Sequence, residues 1–233
     1  MIKGLYIANT GLNYNQKALN TIGGNLANVN TSGYKQQDIA ASTFKEALVS
    51  KNGQKIIGST SHGVKLDEIK TDYTMGSIQE TNREFDYAIK GDAFFTLELP
   101  DGSYQYTRNG AFQKDAEGYL VDNHGFKVQG EQGSIMVEDG KPDQEFALTN
   151  FENLDDLRKV GENLYITNDE EGANWSDNST VMQGFLESSN VDLVKNMGEM
   201  LTYSRFLSFN SKVLSVQDRI LEKSASEIGS IRG

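Results

Sequence analysis

The chain has no cysteine and only two histidines among its 233 residues. The first absence removes disulfides, zinc–thiolate sites and cysteine nucleophiles together, and it leaves the redox compartment open. With only His62 and His124 available, most imidazole metal sites and catalytic triads go as well. Both precede glycine in turn contexts, so they are expected as exposed turn residues, because a general base needs an oriented partner. No stretch approaches the roughly 18 consecutive apolar residues that span a bilayer, so no integral membrane segment is expected. The start, Met1-Ile2-Lys3-Gly4-Leu5-Tyr6-Ile7-Ala8 running into Asn9-Thr10, is too short and too polar for a secretory signal. Any exit from the cytoplasm would use a route without a cleaved peptide.

Familiar chemical motifs are missing too. There is no G-x-S-x-G elbow, phosphate-binding G-x-x-x-x-G-K-[ST] loop, G-x-G-x-x-G turn or H-E-x-x-H helix. Asp169-Glu170-Glu171 with Asp177 lacks the alternating ligands and central glycine of a calcium loop, and reads as a solvated acidic loop. The lone Trp175 sits among polar residues, as a partly buried core side chain or an interface anchor. Catalytic, cofactor and metal residues are therefore expected to be none, although paired central carboxylates keep a surface-polymer hydrolase as a rival.

Acids are scarce where the chain begins and crowded in its middle. Residues 1–66 hold 7 Lys against 2 acids, residues 67–187 hold 9 bases against 26 acids, and residues 188–233 hold 6 against 5. An acidic centre with no basic, aromatic-interleaved face argues against nucleic acid as a partner.

Both ends read as helices. Leu5, Ala8, Leu12, Asn15, Leu19, Ile22, Leu26 and Val29 are spaced alternately by three and four, the period of a coiled-coil seam. Gly33 supplies a stop, while Gly23-Gly24 weakens the helix by about 1 kcal/mol per glycine relative to alanine and calls for a partner helix. At the other end Leu193, Met200, Leu207, Leu214, Leu221 and Ile228 recur every seven residues. A second stripe, Phe206, Phe209, Val213, Val216 and Ile220, lies on a neighbouring face, and the apolar arc is too wide for a two-helix pair. One helix over 190–228 would run about 58 Å. The second stripe has no cover left in this chain, which points to other subunits; an antiparallel hairpin within a monomer is the alternative.

Between the ends the period falls to two. Phe95, Leu97 and Leu99 stop at Pro100-Asp101-Gly102, and Tyr104 and Tyr106 precede Asn109-Gly110; both read as hairpins. Tyr119–Val121, Phe126–Val128, Ile135–Val137, Phe146–Leu148 and Leu164–Thr167 continue the pattern of a small barrel or sandwich. In 38–84, Thr43–Val49 could extend a helix, Val64, Leu66 and Ile69 hint at an isolated strand, and the rest reads as extended connections.

Particular residues then become recognisable. Asn25-Leu26-Ala27-Asn28-Val29-Asn30-Thr31-Ser32-Gly33-Tyr34-Lys35 closely resembles the N-terminal signature of bacterial flagellar rod and hook proteins. Phe85-Asp86-Tyr87-Ala88-Ile89-Lys90-Gly91 with Phe94-Phe95, and Tyr106-Thr107-Arg108-Asn109-Gly110 with Gly118-Tyr119-Leu120-Val121, are similar to its central blocks. Gly184-Phe185-Leu186-Glu187-Ser188-Ser189-Asn190-Val191-Asp192 looks like its second signature. Ala93 and Asn109 stand where the family commonly has Gly and Asp.

The resemblance implies an α+β fold, an all-β central domain flanked by long N- and C-terminal helices in a coiled-coil-like pair. The division expected is an N-terminal helix over 1–35, an extended connecting arm over 36–84, an acidic β domain over 85–187 and a C-terminal helix over 188–233. The family is most similar in its basal-body rod branch, especially the distal rod type, with proximal rod or hook-type subunits as alternatives. It implies self-association into a hollow helical drive shaft, partners among other rod and hook proteins, and export through the flagellar type III apparatus. Leu5, Leu12, Leu19, Ile22, Leu26 and Val29 with Leu193, Met200, Leu207, Leu214 and Leu221 would build the assembly helices. Asn25, Ala27, Asn28, Gly33, Tyr34, Glu187, Ser189, Asn190 and Val191 carry the signatures. A surface-polymer-binding module whose helices merely dimerise is the remaining alternative.

Overall fold

The computed structural model describes residues 2–43, 47–51, 55–60, 64–138, 140–161, 163–167, 173–175 and 179–230, with side chains described within 4–40, 68–138, 140–161, 163–167 and 179–227. The chain forms an α+β fold of two compact units. One unites Met1–Leu26, Gln37–Lys70 and Leu193–Gly233; the other unites Ala27–Gln36 and Thr71–Asp192.

The first unit is a helical hairpin with a strand arm. Helix α1 spans Ile2–Ala27 and helix α2 spans Leu193–Ser230. The α1 helix runs through Gly23-Gly24, where an added Cβ would meet nothing within 4 Å, so these glycines serve no close approach. It ends before Val29, earlier than the Gly33 stop. The Thr31 amide donates to the Asn28 carbonyl at 3.1 Å and the Thr31 hydroxyl to Asn28 Oδ1 at 3.1 Å, closing a turn that diverts the chain.

The line of α1 nearest α2 is Ala8, Asn15, Ala18, Ile22 and Asn25, all buried, with half-buried Gly4 and Gly11 continuing it. Ala8, Asn15 and Ile22 belong to the expected seam, whereas its leucines, Leu5, Leu12, Leu19 and Leu26, are only half-buried at the flank and give way to Gly4, Gly11, Ala18 and Asn25. Short side chains explain the difference, since glycine and alanine let the helix axes approach where leucine would hold them apart. On α2 the buried Asn196 and half-buried Tyr203, Leu207, Asn210, Leu214 and Gln217 face inward. Leu193, Met200 and Leu221 remain 40%, 41% and 36% exposed.

The arm consists of β1 (Gln37–Thr43), β2 (Ala47–Lys51), β3 (Lys55–Thr60) and β4 (Val64–Thr71). Strand β1 pairs with β4, and β2 pairs antiparallel with β3. The helical reading of Thr43–Val49 is therefore corrected: residues 47–49 belong to a strand, and the β-branched and apolar run Ala47-Leu48-Val49 finds its hydrogen bonds in β3. Val64, Leu66 and Ile69 do lie on one strand, which is paired and not isolated.

In the second unit, β5 (Ile78–Glu80), β6 (Tyr87–Lys90), β7 (Phe94–Glu98) and β8 (Tyr104–Thr107) precede shorter strands. The β7–β8 hairpin turns at residues 99–103, where the Leu99 amide donates to the Ser103 carbonyl at 2.9 Å. Strand β7 is the branch point of the main sheet. It pairs with β8 on one edge, and on the other with Lys127–Gly130 at its far end and Leu148–Phe151 at its start. Its two faces feed two cores. Phe95 and Leu97 join Tyr87, Ile89, Phe112, Leu120, Val128, Ile135 and Leu148, while Phe94 joins Tyr106, Phe151, Leu157 and Tyr165.

Asn109-Gly110 is not a hairpin turn. Strand β8 continues to no partner at 113–114, which pairs instead with Leu120–Val121, and Gly110 passes against the Tyr87 carbonyl so closely that a Cβ would overlap it. The glycine is there for backbone approach. Trp175 lies on the strand Ala173–Trp175, paired with Leu148–Phe151, where the sequence implied a loop. His62, Asp169, Glu170, Glu171 and Asp177 fall outside the described residues.

Candidate functional site

Five of the signature residues converge in the second unit on one buried polar cluster. After the turn at Asn28–Thr31 the chain enters a left-handed residue, Gly33, at φ 68°, where a Cβ would overlap the backbone of Arg108 and Asn109. Only glycine fits both the angle and the space. The Gly33 amide donates to the Glu187 carbonyl at 2.8 Å.

Glu187 closes the strand Phe185–Glu187, which pairs with β5, and its side chain is 1% exposed. The Lys35 ammonium donates to Glu187 Oε1 at 2.7 Å and to the Thr74 carbonyl at 2.8 Å. Arg108 Nη1 donates to Glu187 Oε2 at 3.4 Å, and its guanidinium lies 4.8 Å from the Phe94 ring centroid. The Gly76 amide adds a further bond to Glu187 Oε1 at 2.8 Å. One carboxylate is thus held by two cations and an amide. Burial lowers the Lys35 pKa; Glu187 opposes that shift, while the like charge of Arg108 reinforces it.

Asn190 ties the next layer. Its Oδ1 accepts from the Gln36 amide at 2.7 Å, and its Nδ2 donates to the Asp72 carbonyl at 2.8 Å and the Thr74 carbonyl at 3.1 Å. The Asn190 amide donates to the Tyr34 carbonyl, and the Ser188 amide to the Ser77 carbonyl. Ser189 accepts from the Val191 amide through its hydroxyl at 3.2 Å. Asn163 Nδ2 donates to the Ser32 carbonyl at 2.9 Å while the Asn163 carbonyl accepts the Thr107 hydroxyl at 2.9 Å. Lys159 stands over the Tyr34 ring with Nζ 3.8 Å from the centroid. Five distant stretches, 32–36, 72–77, 107–109, the one carrying Lys159 and Asn163, and 187–191, are thereby clasped together.

The arrangement is structural in its chemistry. The clasp carboxylate is engaged by the donors of Lys35, Arg108 and Gly76. Among the described residues no group of three or more His, Asp or Glu could hold a metal ion. His124 does have an oriented carboxylate, Asp122 Oδ2 at 2.9 Å from Nδ1, but the pair is part of an exposed turn in which Asp122 Oδ1 also accepts the His124 and Phe126 amides.

Not every signature residue joins the clasp. Asn25 lies in the helical unit, donating to the Gln37 carbonyl at 2.8 Å and to Asn196 Oδ1 at 3.2 Å. Ala27 is exposed, Asn28 makes its turn, and Val191 is buried. Sequence reasoning did not single out Lys35, Arg108, Gly76, Asn163 or Asn196. Lys35 and Arg108 stood inside quoted blocks, yet no spacing announces a charge pair separated by dozens of residues.

The helical unit presents a different feature. Along α2, Val194, Met197, Leu201, Phe206, Phe209, Val216 and Ile220 are 49–80% exposed, and Val213 is half-buried. Tyr6 and Ile7 on α1 are 50% and 43% exposed. Val194, Met197 and Leu201 form one exposed line, and Phe206, Phe209, Val216 and Ile220 form a second on a different face, extending over about 21 Å of helix. An apolar surface of that length is a marker of a docking face.

A flagellar basal body rod protein model matches residues 5–35, the flagellar hook protein FlgE/F/G D1 domain model matches 88–154, and the flagellar basal body rod FlgEFG protein C-terminal model matches 182–227. The flagellar basal-body rod protein FlgG of Buchnera aphidicola subsp. Baizongia pistaciae is 33% identical over 96% of this chain and 98% of its own length. FlgG of Bacillus subtilis is 31% identical over 96% and 98%. The flagellar hook-basal body complex protein FlhO of Bacillus subtilis is 29% identical over 99% and 100%. With relatives of this identity along nearly its whole length and family models matching both helices and the β body, the chain belongs to the flagellar basal-body rod and hook protein family.

Proposed function

We propose that this chain is a structural subunit of the flagellar basal-body rod, of the distal type, that polymerises into a hollow helical shaft transmitting torque from motor to hook. The observation that carries the reading is the uncovered stripe from Phe206 to Ile220 on α2. A neighbouring subunit covering it would bury aromatic and aliphatic surface at about 25 cal/mol per Å². Repeating that contact without ring closure yields an open helical filament. The names of the FlgG relatives favour the distal rod, and the similarity to FlhO keeps another position in the hook–basal body as the second reading.

The chain acts without catalysis, at the flagellar basal body outside the cytoplasm. It reaches that place unfolded through the flagellar type III export apparatus, and its partners are further copies and the other rod and hook proteins. No described helix is long and apolar enough to cross a membrane. The test is complementation of a strain lacking the subunit. Phe206→Asp combined with Phe209→Asp should be exported yet give no rod and no motility, while the purified variant keeps the near-ultraviolet signature of its β unit. Normal rods from that variant would refute the reading.

A further inference from the structure

The seam between α1 and α2 repeats every seven residues, and its repeat alone leaves open how far one helix is slid along the other. Four pairs define the observed alignment. A Cβ on Gly4 would stand 2.9 Å from Gln217 Nε2, and one on Gly11 would stand 3.2 Å from Asn210 Nδ2. Ala18 and Tyr203 line one cavity of about 220 Å³. Asn25 Nδ2 donates to Asn196 Oδ1 at 3.2 Å. Each step of seven forward on α1 is matched by a step of seven back on α2, so the four pairs describe a single antiparallel register.

The chemistry of the ladder is repetitive. Small residues, Gly4, Gly11 and Ala18, each meet a long polar one. A slip of α2 by one heptad, about 10.5 Å, would set Gly11 against Gln217 and Ala18 against Asn210. A slip the other way would set Gly11 against Tyr203 and Ala18 against Asn196. Small still meets polar in both cases, so these rungs tolerate displacement. Together with the half-buried pairing of Tyr14 with Tyr203, each slip removes the contact of Asn25 with Asn196, the most enclosed of the polar contacts across the seam.

Those two side chains are the most enclosed in the seam, each in a residue 1% exposed. Asn25 is also oriented before it reaches its partner: its Oδ1 accepts from the Gln37 amide at 3.0 Å and its Nδ2 donates to the Gln37 carbonyl at 2.8 Å. A slipped hairpin would bury this fixed amide without Asn196, which is costly for a group that cannot turn to water. A polar residue at one core position is a known means of choosing among heptad-related registers.

We infer that Asn25, held by the Gln37 backbone, and Asn196 together form the register pin of the helical hairpin, selecting one alignment from the set that the small-to-polar ladder permits. The pin acts within the single chain and does not depend on the rod reading. Its consequence for that reading is that the α2 stripe and the exposed Tyr6 and Ile7 keep one axial phase.

The absence of native cysteine makes the register directly measurable. Gly11→Cys with Asn210→Cys reports the observed alignment, and Gly11→Cys with Gln217→Cys reports a one-heptad slip. Each pair is oxidised in the dilute full-length chain and the intramolecular disulfide is read by gel mobility. With the pin intact, the first pair should close at least about tenfold faster than the second, the factor corresponding to one ordinary buried hydrogen bond. Adding Asn196→Leu, which leaves the Asn25–Gln37 bonds and the Tyr14–Tyr203 contact in place, should narrow the gap between the two rates, and Asn25→Leu should do the same. If Asn25→Leu costs the chain its helical circular dichroism, Asn196→Leu alone decides. Closure confined to the first pair in the Asn196→Leu chain would overturn the inference. So would equal closure of both pairs, or of neither, with the pin intact.

Discussion

Lys35 Nζ lies 2.7 Å from Glu187 Oε1, and the two side chains are 0% and 1% exposed. These residues are separated by 152 positions, so the bond ties the segment leaving α1 to the segment that leads into α2. Removing the carboxylate would leave Lys35 and Arg108 buried with like charge and without the counterion they share. Glu187→Ala should therefore destabilise the β unit by about 3–5 kcal/mol in urea unfolding. Lys35→Met should cost less, since Glu187 keeps Arg108 and the Gly76 amide. Equal losses from the two variants would mean that the second cation contributes nothing.

Gly33 and Gly102 offer a contrast between angle and space. Both have positive φ, 68° and 82°, but a Cβ would overlap the backbone of Arg108 and Asn109 at the first and meet nothing within 4 Å at the second. Gly102→Ala should cost about 1–2 kcal/mol, the left-handed penalty alone. Gly33→Ala should cost clearly more, because the clasp strand must move to admit the methyl group. Comparison of the two unfolding midpoints at equal slope checks this.

The elements that were legible in the sequence are those written in local period. Period-two alternation located β7, β8 and the strand Leu164–Thr167, and the heptads located both helices. Part of the α1 seam, Ala8, Asn15 and Ile22, was legible; the rest was assigned to leucines because they dominate a hydrophobicity pattern, whereas the approach of two helices is decided by their smallest residues, here Gly4, Gly11 and Ala18. The hairpin read at Asn109-Gly110 failed for a related reason: glycine marks close backbone passage as readily as it marks a turn. The signature at 25–35 pointed to the right region without its physics, since the partners of Lys35 are the Thr74 carbonyl and Glu187, which in turn holds Arg108. Such contacts are products of topology, and no spacing encodes them.

Thr96 and Thr149 bring hydroxyls within 2.9 Å across the β7 pairing with Leu148–Phe151, and Thr96 is buried. A valine at either position keeps the shape and strands the other hydroxyl. Thr96→Val and Thr149→Val should each destabilise by about 1 kcal/mol, while the double variant should cost less than their sum, because both polar partners leave together. Strict additivity in the cycle would show that the two hydroxyls do not interact.

Lys159 supplies the pH dependence. Burial lowers its pKa to about 8 from an ordinary 10.5, even though its ammonium stands 3.8 Å over the Tyr34 ring, a contact that favours the charged form. Below pH 8 the ammonium is charged in both the folded and the unfolded chain, and the folded state carries the desolvation cost in full. Between about 8 and 10.5 the unfolded chain holds more protons than the folded one, so this residue's contribution to stability rises with pH across that window. Above 10.5 the cost is gone. Other groups titrate in the same range, so the informative quantity is the stability of the unaltered chain minus that of Lys159→Met. That difference should increase from pH 7.5 to pH 10.5 in urea unfolding. A difference that stays flat would mean that Lys159 reaches water in the folded chain, and a falling one would mean that the Tyr34 ring outweighs burial.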